Sequence, residues 1–110
     1  MKTADAVNAL AALAQSTRLA IYRLLVRQGP GGLPAGTLAE RLDVPAATLS
    51  FHLKELANAG MIESRQDGRF VYYSANYGKM NGLIGYLSEN CCQGDATACA
   101  PALALKRKRA

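Results

Sequence analysis

At 110 residues, half of them hydrophobic, the chain is long enough for one domain with a single core but marginal without a partner. No run approaches the ~20 apolar residues that a membrane span requires, and Met1-Lys2 is followed by Asp5 and Asn8 rather than by an uninterrupted apolar signal segment, so a cytoplasmic protein with no membrane partner is expected. The formal charge of +5 suggests nucleic acid until it is located: Lys106, Arg107, Lys108 and Arg109 carry four of those charges, so any DNA contact by the body rests on placement rather than on bulk charge.

The basic run reads as a solvated tail, or else as a source of non-specific phosphate attraction. Three cysteines in a reducing compartment are expected as thiols rather than structural disulfides, and their odd number points the same way.

Residues 3–14 are rich in Ala, with Val7, Leu10, Ala11 and Ala14 at i, i+3, i+4 and i+7, the pattern of an amphipathic helix with a flat face. Ser16 or Thr17 can cap a second helix that runs to about Gln28, with Ile21, Leu24 and Leu25 on its core side and Gly29 as its stop. Residues 30–34 read as a loop, and residues 37–42 as a short third helix with Leu38 and Leu42 inward. A tight Asp43-Val44 turn then delivers Pro45, where the fourth helix begins; it ends at Gly60. A short helix, a turn of three to four residues and a second helix make a helix-turn-helix, with the second helix as reader.

On the fourth helix Leu49, Leu53 and Leu56 fall on one side, and Ala47, Ser50, Phe51, Lys54 and Asn58 on the other. A purely structural helix would turn charges to water. This face instead offers small residues, a hydroxyl, an amide, one cation and a Phe, a set that suits a DNA major groove. Extended segments follow at 61–66 and 69–74, joined by an Asp67-Gly68 turn of type I′, with Arg65 and Arg69 flanking the tip. A two-stranded ribbon beside a helix-turn-helix is a wing. Asn76 can cap a fifth helix to about Asn90, with Met80, Leu83, Ile84 and Leu87 along one side and Gly78, Gly82 and Gly85 along another. Each of these glycines costs about 1 kcal/mol relative to Ala, a cost that close approach of another backbone would explain. Helices 1 and 5 are therefore expected to form a two-fold homodimer interface.

The expected architecture is mainly α with a β-hairpin: a winged helix-turn-helix of five helices and a two-stranded wing over residues 1–90, followed by a cysteine-containing segment and basic tail at 91–110. Over about residues 5–90 this chain resembles the ArsR/SmtB family of winged-helix metalloregulatory repressors. The resemblance rests on Thr17-Arg18-Leu19, on Thr48-Leu49-Ser50-Phe51-His52-Leu53-Lys54-Glu55-Leu56, on Ala59-Gly60-Met61-Ile62 and on Gly68-Arg69-Phe70-Val71-Tyr72-Tyr73. It implies a homodimer that represses a metal-resistance operon and leaves double-stranded operator DNA when metal binds. It also carries Ser50 and His52 over as DNA-contacting positions. The candidate DNA-binding set is then Ala47, Thr48, Ser50, Phe51, His52, Lys54, Arg65 and Arg69, with a core-packed His52 as the alternative.

The chain departs from the family at both of its familiar metal sites. No Cys lies at 37–44, where the Cys-x-Cys site would fall, and the last helix has no His. What the chain offers instead is Cys91-Cys92 and, seven residues later, Cys99. Soft sulfur ligands favour soft ions, and a lone-pair centre such as As(III) or Sb(III) takes three sulfurs in a pyramid. Some ArsR-type repressors that lack the Cys-x-Cys site are similar in placing paired cysteines and a third one after the last helix. The expected inducer is therefore arsenite or antimonite. Incidental cysteines in a tail, a thiol redox switch, a Zn, Cd or Cu(I) site, and an arsenic-sequestering protein without DNA binding stay open. No Cys-x5-Arg cradle, Cys-x-x-Cys pair or nucleophile-base pairing supports an enzyme.

Overall fold

The computed structural model describes residues 1–91. Its elements are α1 (Thr3–Leu13), α2 (Ser16–Gln28), β1 (Leu33–Pro34), α3 (Ala35–Leu42), α4 (Ala46–Asn58), β2 (Ile62–Asp67), β3 (Phe70–Ala75) and α5 (Tyr77–Leu87). The core gathers Ile21 and Leu25 of α2, Leu38 of α3, Leu49 and Leu56 of α4, and Met61, all fully buried. Leu53 joins them, so the leucine side of α4 faces inward as its spacing requires.

The helix-turn-helix is closed by local backbone chemistry. Asp43 ends α3 in a left-handed conformation (φ 54°), a geometry that Asp tolerates better than most residues, and the Val44 amide donates to the Ala39 carbonyl. Pro45 sits one place before the helix as its cap residue, not at its first helical position. Gly60, with φ 76°, follows the last turn of α4 and redirects the chain into β2. At α2 the cap is the Gln15 side chain, which accepts from the Arg18 amide, instead of Ser16 or Thr17.

The sheet corrects the expected two-stranded wing. Leu33–Pro34, read as loop from sequence, is a third strand, and the order is β1-β3-β2, all antiparallel. Two residues cannot display an alternating pattern, and Pro34 is tolerated because β1 is an edge strand. Gly32 makes the approach possible: at φ +75° a Cβ there would collide with the Tyr73 carbonyl oxygen. The hairpin register pairs Asp67 with Phe70, so the turn is Gly68-Arg69, one residue later than expected. Gly68 has positive φ and Arg69 does not, which fits a turn with Gly first rather than type I′.

The outer helices also differ from their wheels. α1 buries its small residues Ala6, Ala9 and Ala12 and turns Val7 (56% exposed) and Leu10 outward. Alanine lets α1 approach the core closely, and the larger side chains are left on the far side. α5 ends at Leu87, short of Asn90, and of its apolar line only Leu83 is fully buried; Ile84 and Leu87 (61% exposed) face out. The glycine stripe is not covered by α1 within the chain. Among the described residues a Cβ at Gly82 would touch only Met1, at 3.3 Å, and one at Gly85 would meet nothing within 4 Å. α1 and α5 do meet through the Thr3 and Tyr86 hydroxyls, 2.5 Å apart.

Candidate nucleic-acid interface

Because Leu49, Leu53 and Leu56 anchor α4 in the core, its opposite side is left in solvent. Ala47, Thr48, Ser50 and Lys54 are exposed there, and Phe51 is 56% exposed. These residues therefore share one accessible face of the second helix of a helix-turn-helix. Beside it the sheet forms a shallow cleft of about 210 Å³ lined by Ser50, Leu53, Lys54, Ala57, Ser64 and Tyr73. Ser64 and Tyr73 are not among the residues the sequence offers for this face, although they are cross-strand partners; the correct register of the hairpin sets them side by side.

His52 requires a correction. It is 8% exposed and lies on the inward side of α4, its Nδ1 3.3 Å from the guanidinium of Arg18 and its ring edge-on to Phe51 with centroids 5.5 Å apart. A position so near the border between the two faces of a helical wheel is decided by its neighbours, and here α2 supplies a partner for the ring. The His52 Nδ1 is engaged by Arg18 and does not face the outer side of the helix.

The two wing arginines have different fates. Arg65 donates to the Gly31 carbonyl (2.9 Å), lies 3.9 Å from the Asp67 carboxylate, and stacks over Tyr72 at 4.9 Å from the ring centroid. It holds the hairpin to the loop before β1. Arg69 stands in the turn itself, exposed and without a polar partner among the described residues. Phe70, beside it at the tip, is also exposed.

A helix-turn-helix domain profile matches residues 13–65. The transcriptional repressor SdpR of Bacillus subtilis is 32% identical over 88 residues, which cover 80% of this chain and 94% of that protein. The arsenical resistance operon repressor of the same organism is 34% identical over 92 residues, covering 80% and 84%. The chain belongs to the ArsR/SmtB family. Its winged helix-turn-helix fold agrees with that of an ArsR-like transcriptional regulator from Rhodococcus sp. RHA1, at a TM-score of 0.73 and 30% identity over 88% of this chain and 89% of that one. ArsR/SmtB proteins of this kind are DNA-binding transcriptional regulators and not enzymes.

Cys91, half-buried just beyond α5, is disulfide-bonded, whereas thiols were expected from the compartment argument. Cys92, Cys99 and the basic run Lys106 to Arg109 lie outside the described residues. Among the described residues no group of three His, Cys, Asp or Glu is placed to hold a metal ion, and no helix is long and apolar enough to cross a membrane.

Proposed function

We propose that this chain is an arsenite- and antimonite-responsive repressor that binds operator DNA as a homodimer through α1 and α5. The observation that carries the DNA part is the accessible face of α4, where Thr48, Ser50, Phe51 and Lys54 stand clear of the core. Hydroxyls and the ammonium supply polar contacts to base edges and phosphates, and Ala47 and Phe51 supply apolar contact to thymine methyls. Two such helices related by a two-fold axis fit an inverted repeat with half-sites about one or more helical turns apart. The aliphatic side chains left outward on α1 and α5 support the dimer.

The arsenical part is supported by the likeness to the arsenical resistance operon repressor and by the donor set of residues 91–110. Cys91, Cys92 and Cys99 would supply three thiolates, matching the pyramidal preference of As(III) or Sb(III), and binding would require Cys91 in its reduced state. Closing a loop from Cys91 to Cys99 would shift the end of α5, and through the dimer alter the separation of the reading helices. The coupling expected of such a change is ~1–3 kcal/mol. A second reading, release by thiol oxidation, is favoured by the disulfide at Cys91.

A gel-shift titration separates these readings. Reduced protein should hold its operator, arsenite or antimonite should release it, and zinc should not. Cys91→Ser, Cys92→Ser or Cys99→Ser should each retain repression while sharply weakening release. If oxidant alone releases the DNA, the redox reading stands. If the triple Ser variant still responds to arsenite, the site is wrong, and if the protein takes up arsenite but binds no DNA, it is a sequestering protein.

A further inference from the structure

Arg18 is fixed at three points. Its amide donates to the Gln15 side chain at the start of α2, its Nε donates to the Ala12 carbonyl at 2.6 Å, and one terminal nitrogen faces His52 Nδ1 at 3.3 Å. The Ala12 carbonyl belongs to the last turn of α1, where carbonyls lack partners within the helix and a cation is favoured. Guanidinium has only donors, so His52 Nδ1 is the acceptor in this pair. His52 is in turn the inward neighbour of Phe51, which it meets edge to face.

Alongside this bridge a groove runs along the surface between α1 and α4. A cleft of about 350 Å³ opens between them, with Asn8 and Ala11 on one wall and Glu55 and Asn58 on the other, and Arg18 at its end. The cleft is an open surface groove, and beside it the Arg18 side chain links the end of α1 to α4.

We propose that Arg18 and His52 form a positioning pair that sets the pitch of the reading helix relative to α1. This rests on the proposed dimer, in which α1 is fixed against its copy; the angle of α4 from α1 then determines how the two reading helices meet successive half-sites. The pair touches no base itself. It acts through α4 and through the ring of Phe51, and its loss should affect binding to the correct site far more than binding to DNA in general, because non-specific attraction depends on charge and not on register.

The test uses the full chain and a duplex enriched from a random-sequence pool by the wild-type protein, with a scrambled duplex of equal length as reference. Arg18→Met and His52→Leu should each lose about tenfold or more in affinity for the selected duplex at a temperature where both are folded, with scrambled-duplex affinity and sedimentation unchanged, while the lost intramolecular hydrogen bond lowers the melting temperature. His52→Asn, whose side-chain carbonyl can take the place of Nδ1 as acceptor, should retain wild-type affinity within about twofold. The double variant Arg18→Met/His52→Leu should be no worse than the weaker single variant. Wild-type affinity in His52→Leu overturns the proposal. So does an equal loss in His52→Asn, which would make the ring itself the contact, or an equal loss on scrambled DNA. Should Arg18→Met fail to fold, the Leu and Asn variants of His52 decide alone. A wild-type protein that enriches no sequence refutes the repressor reading instead, and this inference falls with it.

Discussion

On α1 and α5 the large hydrophobic side chains left outward, Val7, Leu10, Ile84 and Leu87, are all aliphatic and stand among polar Asp5, Asn8 and Asn81, whereas on α4 the outward residues Thr48, Ser50, Phe51 and Lys54 mix hydroxyls, a ring and a cation. Both sets are left uncovered for the same reason, since each helix has already turned another side to the core. They differ in what can cover them. Aliphatic groups have no directional bond to offer and are stabilised only by a fitting apolar surface, at about 1.5–3 kcal/mol for each side chain fully buried. The mixed face forms directional bonds and suits a polar surface with pattern. The difference supports the proposed roles, self-association for α1 and α5 and DNA contact for α4.

The strongest way to break that assignment is to charge the aliphatic face. Leu10→Glu or Ile84→Glu should dissociate the dimer in sedimentation and, because one half-site binds poorly alone, lower operator affinity by more than about 100-fold; a buried unpaired charge costs ~3–5 kcal/mol. A variant that stays dimeric and bound would place the interface elsewhere. Next comes Phe51→Ala, expected to loosen operator preference by ~1–3 kcal/mol while the melting temperature holds. A large drop in melting temperature would mean that Phe51 packs in a core, at a cost of ~3–5 kcal/mol, which its exposure contradicts.

The wing sharpens the comparison within one residue type. Arg69→Ala should reduce the slope of log affinity against log salt by about 1, as expected for one lost phosphate contact. Arg65→Ala should leave that slope unchanged and destabilise the hairpin by at most ~1 kcal/mol, since its ion pair is exposed. The smallest effect is expected at Tyr22, which belongs to neither face. Its buried hydroxyl has no hydrogen-bond partner among the described residues, and burial, with Tyr77 as the lesser contribution, raises its pKa above the ordinary value. The folded state then holds the proton more tightly than the unfolded chain, so this group's contribution to stability is present below about pH 10 and is lost as pH rises beyond it. Tyr22→Phe should flatten the alkaline fall in melting temperature and leave DNA binding and dimerisation unchanged.

Much of this arrangement is legible in the residues. The leucines of α4 recur at helical spacing and Gly60 marks its exit, so both the inward side and the end of the reading helix follow from the chain alone. Asn76 likewise announces α5, because a short amide is a strong cap. What escapes is decided by contacts between segments distant in sequence. β1 exists only because β3 offers it an edge; the hairpin shifts by one residue because Asp67 pairs with Phe70; His52 turns inward because Arg18, 34 positions earlier, meets it there. The wing arginines look alike in sequence, and only the Gly31 carbonyl and the Tyr72 ring separate one from the other.

Asn76 has a further consequence. Its Oδ1 accepts from the Lys79 amide and its Nδ2 donates to the Gly60 carbonyl, while its backbone N–H donates to Met61 and its carbonyl accepts from Met80. The exit of α4 and the first turn of α5 are thus clasped by one residue, and neither can fray without releasing the other. In native-state hydrogen exchange the Lys79 and Met80 amides should open together with the amides that close the end of α4, as one cooperative unit and not as two independently fraying ends. Asn76→Ala would split that unit, leaving the start of α5 to exchange ahead of the helix that precedes the wing.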